Sequence, residues 1–248
     1  MEKLIIILTL VLSFNASALT VISDLDDTLK ITNVASKPRA VWNALFNKNA
    51  FKGMPELMEK FDKAGSDLYI VSASPNMLRS RIDKFIAHNE IAYKEIYTRN
   101  LSQLGQKEAY KLAAIREIIN STSDEYILIG DDTEIDALVY EKIQKEFPTK
   151  IKAVYIHQVQ GNKSLPGIKY HTAFDIMVSE YKAGRMSSIA VLDMAKDFMF
   201  LKDLSLVFPK FKYCPTQISS FNTDLPFIVR EASKGVYNRI IKYCNERF

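Results

Sequence analysis

The chain has 248 residues, enough for one domain with a sizeable hydrophobic core. Hydrophobic residues make up 48% and charged residues 25% of the chain, which excludes the disordered and collagen-like classes. The net charge of +4 is mild, and the sequence has no basic stripe or RNA-binding motif, so we expect no nucleic-acid partner.

The first 18 residues have the pattern of a secretory signal peptide. Lys3 precedes an apolar run over residues 4–12, and the segment ends in the A-x-A-like sequence Ala16-Ser17-Ala18. The apolar run is shorter than the roughly 20 residues of a membrane-spanning helix. We therefore expect residues 1–18 to be removed, and the mature chain to be periplasmic or secreted and to have no transmembrane span. The alternative is an additional buried strand.

Compact apolar runs alternate with segments of helical length. The runs lie at 19–23, 67–72, 125–130 and 151–157. The helical segments include 54–65 and 106–120, and the second of these has one apolar face. Strands that alternate with helices predict an α/β fold with a doubly wound parallel sheet.

Three of the predicted strands end in polar residues. Asp24, Ser72 and Asp131 each follow or close an apolar run. In open α/β sheets, ligands bind beyond the carboxyl ends of the strands, near the point where the strand order reverses. The three side chains should therefore meet at one edge of the sheet.

The stretch VISDLDDTLK, residues 21–30, contains three carboxylates, and a solvated turn, a calcium loop and an active site are the alternatives. An EF-hand loop that starts at Asp24 needs Gly at its sixth position and Glu at its twelfth. Leu29 and Ala35 occupy those positions, so the calcium loop is excluded.

Four motifs in order resemble the haloacid dehalogenase (HAD) superfamily of phosphohydrolases. They are D-x-D-x-T at 24–28, Ser72, a helical lysine before the third predicted strand, and GDDTEID at 130–136. The segments YIVSASP, YKLAAIREII and FPTKIKAVYIHQV extend the resemblance to the catalytic domain of the actin-patch-associated phosphatidate phosphatase family, from about Leu19 to Val159. The resemblance implies a HAD-like Rossmannoid fold with a minimal cap.

This resemblance also implies the roles of several residues. Asp24 would be the nucleophile, and Asp26 would protonate the leaving oxygen and then activate water. Mg²⁺ would be held by Asp24, by the backbone carbonyl of Asp26 and by Asp131, with Asp136 or Asp132 in support.

The substrate phosphate would be bound by Ser72 and by a lysine. Lys111 aligns with the family's lysine, and Lys107, four residues earlier on the same helical face, is the alternative. We expect Ser74, which precedes a proline, to be a helix cap or a turn residue. Thr28 and Asp27 should stabilise the turn after the nucleophile.

The chain departs from the family pattern within GDDTEID. Asp132 and Thr133 replace the usual Ser-Gly pair, and Ile135 replaces a histidine. The three histidines of the chain lack partners at ligand spacing, so we expect them to be structural or exposed. His157, at a strand end, is the one that could line a pocket.

Only 47 residues separate Asp24 from Ser72, and they should hold two helices, one of them within 38–47. This leaves little room for a cap, so a bulky or membrane-borne phosphomonoester could enter. Phosphatidate is the leading substrate by resemblance. A secreted broad-specificity acid phosphatase and a non-catalytic phosphate- or lipid-binding protein on the same fold are the alternatives.

The C-terminal part changes in character near residue 181. We expect a catalytic domain over 19–180 and a helical extension over 181–248. Both cysteines, Cys214 and Cys244, lie in the extension, and in an exported chain such a pair favours a disulfide.

Overall fold

The computed structural model describes residues 18–36, 46–103, 105–217 and 224–247. The expected signal peptide, except for Ala18, lies outside these ranges, as does most of the helix expected within 38–47. The strands are β1 (Leu19–Ser23), β2 (Asp67–Pro75), β3 (Glu95–Arg99), β4 (Glu125–Asp131), β5 (Ile151–His157) and β6 (Ile168–Tyr170). The helices are α1 (Met54–Lys63), α2 (Arg79–His88), α3 (Lys107–Ser121), α4 (Asp136–Glu146), α5 (Ala173–Lys182), α6 (Ser188–Phe200) and α7 (Phe227–Glu246).

The strands form one parallel sheet in the order β3-β2-β1-β4-β5-β6. From β1 the chain moves outward through β2 and β3, and it then returns to the other side of β1 and continues through β4, β5 and β6. The strand order therefore reverses between β1 and β4, which is the usual ligand-binding point of such sheets. The predicted doubly wound α/β fold is confirmed.

Helices cover both faces of the sheet. Successive side chains of the central strands point to opposite faces, so each strand contributes to two hydrophobic cores. Val21 of β1 packs into one hydrophobic core with α1, α2, α5, α6 and α7. Ile22, the next residue, packs into a second core with α3 and α4. A strand that is buried on both faces is continuously apolar, which is why β1, β4 and β5 were predictable from their sequences.

The C-terminal helices share the first of these cores. Val191 of α6 and Val236 of α7 belong to the same buried cluster as Val21. The structure contains the expected disulfide between Cys214 and Cys244, whose Cα atoms are 5.4 Å apart. The proposed division at residue 180/181 stays a prediction, since side chains from both parts pack together. None of the helices in the described ranges has the length and apolar character needed to cross a membrane.

Candidate active site

Three neighbouring strands end at the edge where the strand order reverses. Asp24 follows β1 directly, and its N–H continues the sheet by donating to the Ile129 carbonyl at 2.8 Å. Ser72 and Ser74 lie in the last part of β2, and Asp131 closes β4. The structure thus brings together the three strand ends that the sequence pointed to.

A cleft of about 390 Å³ opens at this edge. Its lining includes Asp24, Asp26, Lys111, Asp131 and Asp136. All five residues expected to act as nucleophile, acid–base, metal ligands or phosphate-binding lysine therefore lie in one cavity. The remaining expected residue, Ser72, is fully buried next to it.

Three buried carboxylates, of Asp24, Asp131 and Asp136, form the acidic floor of the cleft. One oxygen from each lies within 4.8 Å of the others. Burial and the neighbouring carboxylates raise the pKa of Asp131 well above its usual value. Oδ2 of Asp136 is buried and has no hydrogen-bond partner among the described residues. Crowded oxygen donors with an unsatisfied atom fit a hard divalent cation, which would relieve their repulsion.

Lys111 projects from α3 into this acidic floor and is only 2% exposed. Its Nζ donates to Oδ1 of Asp24 at 2.6 Å and also to Oδ1 of Asp136. Burial alone would lower the pKa of Lys111, but the carboxylates of Asp136 and Asp24 outweigh burial and raise it well above its usual value. The ammonium therefore stays charged beside Asp24. Lys107, the alternative, instead pairs with Glu134 at the rim.

For Asp24 itself, burial is the largest effect and raises its pKa well above the usual value, although Lys111 opposes this shift. The nearby carboxylates of Asp136 and Asp26 raise it further. A bound cation would reverse the balance and keep Asp24 ionised.

Hydroxyl groups from two segments orient the carboxylate of Asp26. Thr32 donates to Oδ1 at 2.7 Å, and Ser74 donates to Oδ2 at 2.8 Å. The hydroxyl of Ser72 is 3.5 Å from the same Oδ2 and accepts the N–H of Ser74. The expectation that Ser74 is a cap or turn residue was wrong, because β2 continues as far as Pro75 and carries Ser74 into the cleft.

Asp27 holds the turn that follows the nucleophile. Its φ of 60° is left-handed, and its carboxylate accepts N–H groups of Thr32, Asn33 and Val34 at 2.6 to 2.9 Å. Burial raises the pKa of Asp27 to about 6, although the three donors oppose this shift. The predicted role of Asp27 in the turn is confirmed.

Two residues that depart from the family pattern, Thr133 and Asp132, have structural roles. Thr133 donates its backbone N–H to Oδ1 of Asp131 at 2.6 Å, and Thr28 donates its hydroxyl to Oδ2 at 3.2 Å. Asp132 points away from the metal-ligand candidates and accepts backbone N–H groups of the loop after β5, at Val159, Gln160 and Asn162. Asp136, not Asp132, therefore supports the acidic floor.

Sequence reasoning missed Arg99, which closes β3 and lines the cleft while only 6% exposed. It belongs to none of the recognised motifs, and its strand was itself not predicted. An isolated arginine gives no sequence signal of this position.

Comparison with solved structures finds limited similarity. A chain of the Pnkp1/Rnl/Hen1 complex matches 63% of this chain and 47% of its own length, with a TM-score of 0.43 and 17% identity. A class C acid phosphatase from Bacillus anthracis with tungstate bound matches 69% of this chain and 80% of its own length, with a TM-score of 0.37 and 12% identity.

Two yeast proteins are similar in sequence. An uncharacterized protein of Schizosaccharomyces pombe is 28% identical over 157 residues, and phosphatidate phosphatase APP1 of Saccharomyces cerevisiae is 29% identical over 156 residues. The matches cover 59% and 58% of this chain but only 26% of each relative. The family model "Phosphatidate phosphatase APP1, catalytic domain" matches residues 19–158, more than half of the chain. The chain therefore belongs to the APP1 catalytic-domain family and carries a phosphatase domain.

Proposed function

We propose that the protein is a Mg²⁺-dependent phosphomonoester hydrolase that acts through an aspartyl-phosphate on Asp24, with phosphatidate as its leading substrate. The observation that carries this proposal is the pairing of Asp24 with Lys111 at the base of a cleft whose second acid, Asp26, is oriented by hydroxyl groups. We also propose that residues 1–18 direct export.

The residues present fit a divalent cation. Asp24, Asp131 and Asp136 offer oxygen ligands, and the backbone carbonyl of Asp26 is a further candidate. When bound, Mg²⁺ would neutralise these carboxylates and the phosphate so that the two anions can approach.

Asp24 supplies the nucleophile. Lys111 binds Oδ1 of this carboxylate, whereas Oδ2 has no hydrogen bond from the described residues. Oδ2 attacks phosphorus, the bond between phosphorus and the leaving oxygen breaks, and Asp26 gives that oxygen its proton. Asp26 then takes a proton from water, whose oxygen attacks phosphorus and releases inorganic phosphate from Asp24.

The wall of the cleft supports a leaving group with apolar character. Val34, Ala73, Pro75 and Leu78 line it beside the acidic floor. An apolar wall next to a phosphate site suits a lipid phosphate better than a sugar phosphate, whose hydroxyl groups would lose their hydrogen bonds there. The matching family and the budding-yeast relative are both named for phosphatidate, which supports this substrate.

The test is phosphate release by the protein from residue 19 onward, with phosphatidate in detergent micelles and p-nitrophenyl phosphate as substrates. Asp24→Asn should lower the Mg²⁺-dependent rate by about 10³-fold or more. Asp26→Asn should lower it by roughly 10²- to 10⁴-fold. Asp193→Asn, the same change on the exposed face of α6, is the matched control and should keep wild-type activity.

Three results would redirect the proposal. Wild-type activity in Asp24→Asn would refute the nucleophile. A preference for many soluble esters over phosphatidate would favour a broad-specificity phosphatase. Absence of Mg²⁺-dependent release from any phosphomonoester by the wild type would favour a non-catalytic binding protein.

A further inference from the structure

We propose that Arg99 is a phosphate-binding residue of the cleft, which holds non-bridging oxygens of the substrate and then of released phosphate. The inference rests on the proposed function, because phosphate is the ligand. Arg99 is the last residue of β3, is buried, and lines the same cleft as Asp24 and Lys111.

The charges in the cleft single out Arg99. Three cationic side chains line the cleft in the described part of the chain: Arg99, Lys107 and Lys111. Lys111 already pairs with two carboxylates, and Lys107 pairs with Glu134. No described carboxylate pairs with Arg99. Its charge is the one that a ligand must balance, because a guanidinium does not deprotonate and a buried cation without an anion is costly.

Among the described residues, the Arg99 side chain makes one hydrogen bond, which fixes where its guanidinium lies. Nε donates to the backbone carbonyl of Ala73 in β2, the strand between β3 and the nucleophile strand β1. The backbone of Arg99 is two strands, about 10 Å, from β1. The anchor therefore holds the guanidinium beside β2, in the cleft that Asp24 also lines, and neither terminal NH₂ group bonds to a described residue.

These donors suit a phosphate. A guanidinium presents parallel N–H groups that match two phosphate oxygens, and such charge-assisted bonds are stronger than neutral ones. Arg99 neither attacks phosphorus nor transfers a proton. It should therefore affect KM and inhibition by phosphate more than kcat.

The test measures binding of inorganic phosphate by isothermal titration calorimetry in buffer with MgCl₂, which requires no turnover. Arg99→Met should raise the dissociation constant roughly 10- to 100-fold, the loss expected for hydrogen bonds to a charged group. Arg116→Met makes the same change at an exposed arginine of α3 that pairs with Glu146, and should bind phosphate like the wild type. KM for p-nitrophenyl phosphate should rise by a similar factor in Arg99→Met.

Arg99→Lys keeps the charge and decides the case if circular dichroism shows that Arg99→Met is unfolded. This variant should bind phosphate roughly threefold more weakly or worse, because an ammonium loses the two-pronged contact. Unchanged phosphate binding in every folded Arg99 variant would overturn the inference and leave the proposed function intact. Absence of phosphate binding by a wild type that still releases phosphate from p-nitrophenyl phosphate would also overturn the inference alone, whereas absence of both would overturn the proposed function as well.

Discussion

His157 supports the segment that carries the nucleophile, although it does not line the cleft. Its buried ring stacks on Tyr170 at 4.7 Å and meets Phe51 edge-on at 4.7 Å. Nδ1 lies 2.8 Å from the carbonyl of Asp27 and must carry the proton, since a carbonyl only accepts. Burial, with the nearby charge of Lys212, lowers the pKa of His157 well below its usual value.

His157 should therefore make the fold sensitive to acid. Its folded pKa is lower than its unfolded pKa of about 6.5, so below that pH the unfolded chain binds a proton that the folded chain does not. Stability from this group is complete above pH 6.5 and falls by up to about 1.4 kcal/mol per pH unit below it. His157→Phe keeps an aromatic ring in place but cannot bind a proton. The free energy of unfolding of this variant should therefore fall less than that of the wild type between pH 7.5 and 5.5.

Urea unfolding at the two pH values measures this difference. His88→Gln, at an exposed histidine of α2, is the control and should show the wild-type pH dependence. An equal loss of stability in wild type and His157→Phe would contradict the assignment.

At the level of individual residues, the sequence predicted the site residues that belong to motifs of known order. Asp24, Asp131 and Lys111 were predicted together because strand ends of a parallel sheet converge. The contact of Ser74 with Asp26 and that of Arg99 with Ala73 were not predictable. They depend on how far β2 and β3 extend at the cleft, and no local pattern encodes that length.

At the level of elements, the turn after β4 and the loop after β5 are joined through Asp132. The Asp132 carboxylate accepts three backbone N–H groups from residues 159–162. Gly161 in this loop has a φ of +76°, and a Cβ there would lie 2.7 Å from the Tyr213 ring. The loop is thus held between β4 and the segment that leads to the disulfide.

Asp132→Ala should destabilise the fold by about 2–3 kcal/mol, because three N–H donors lose a charged acceptor. The Mg²⁺ concentration that gives half-maximal phosphate release should not change, since Asp132 does not contribute to the acidic floor. Asp136→Ala is the comparison and should need more Mg²⁺. Urea unfolding and a Mg²⁺ titration of activity separate the two effects. An unchanged free energy of unfolding in Asp132→Ala would contradict the loop-anchor role, and an increased Mg²⁺ requirement would contradict its exclusion from the acidic floor.

The elements that sequence patterns missed are the edge strands. β3 is partly exposed and contains Glu95 and Arg99, and β6 has only three residues. An edge strand has one neighbour and need not be continuously apolar, so its sequence resembles a loop. The central strands are enclosed on both faces and show clear apolar runs.

For the whole molecule, the sequence predicted helices after residue 180, and the structure packs these helices into the core on one face of the sheet. Phe198 of α6 lies 6.1 Å from Phe174 of α5, measured between ring centroids, and Tyr237 of α7 meets the same ring at 5.7 Å. Helical periodicity shows that α6 and α7 have apolar faces but not which surface those faces cover. The packing partner is a tertiary property that local sequence does not determine.

The disulfide should be a major source of stability for this C-terminal packing. Cys214 and Cys244 are 30 residues apart, and closing a loop of that length restricts the unfolded chain by about 3–4 kcal/mol. The double variant Cys214→Ala/Cys244→Ala should lose about that much free energy of unfolding. Dithiothreitol should bring the wild type to the same value and leave the double variant unchanged. The cleft residues lie outside the loop that the disulfide closes, so phosphate release at low temperature should persist in the double variant. If the wild type had the same free energy of unfolding with and without reductant, the disulfide would contribute nothing to the stability of the fold.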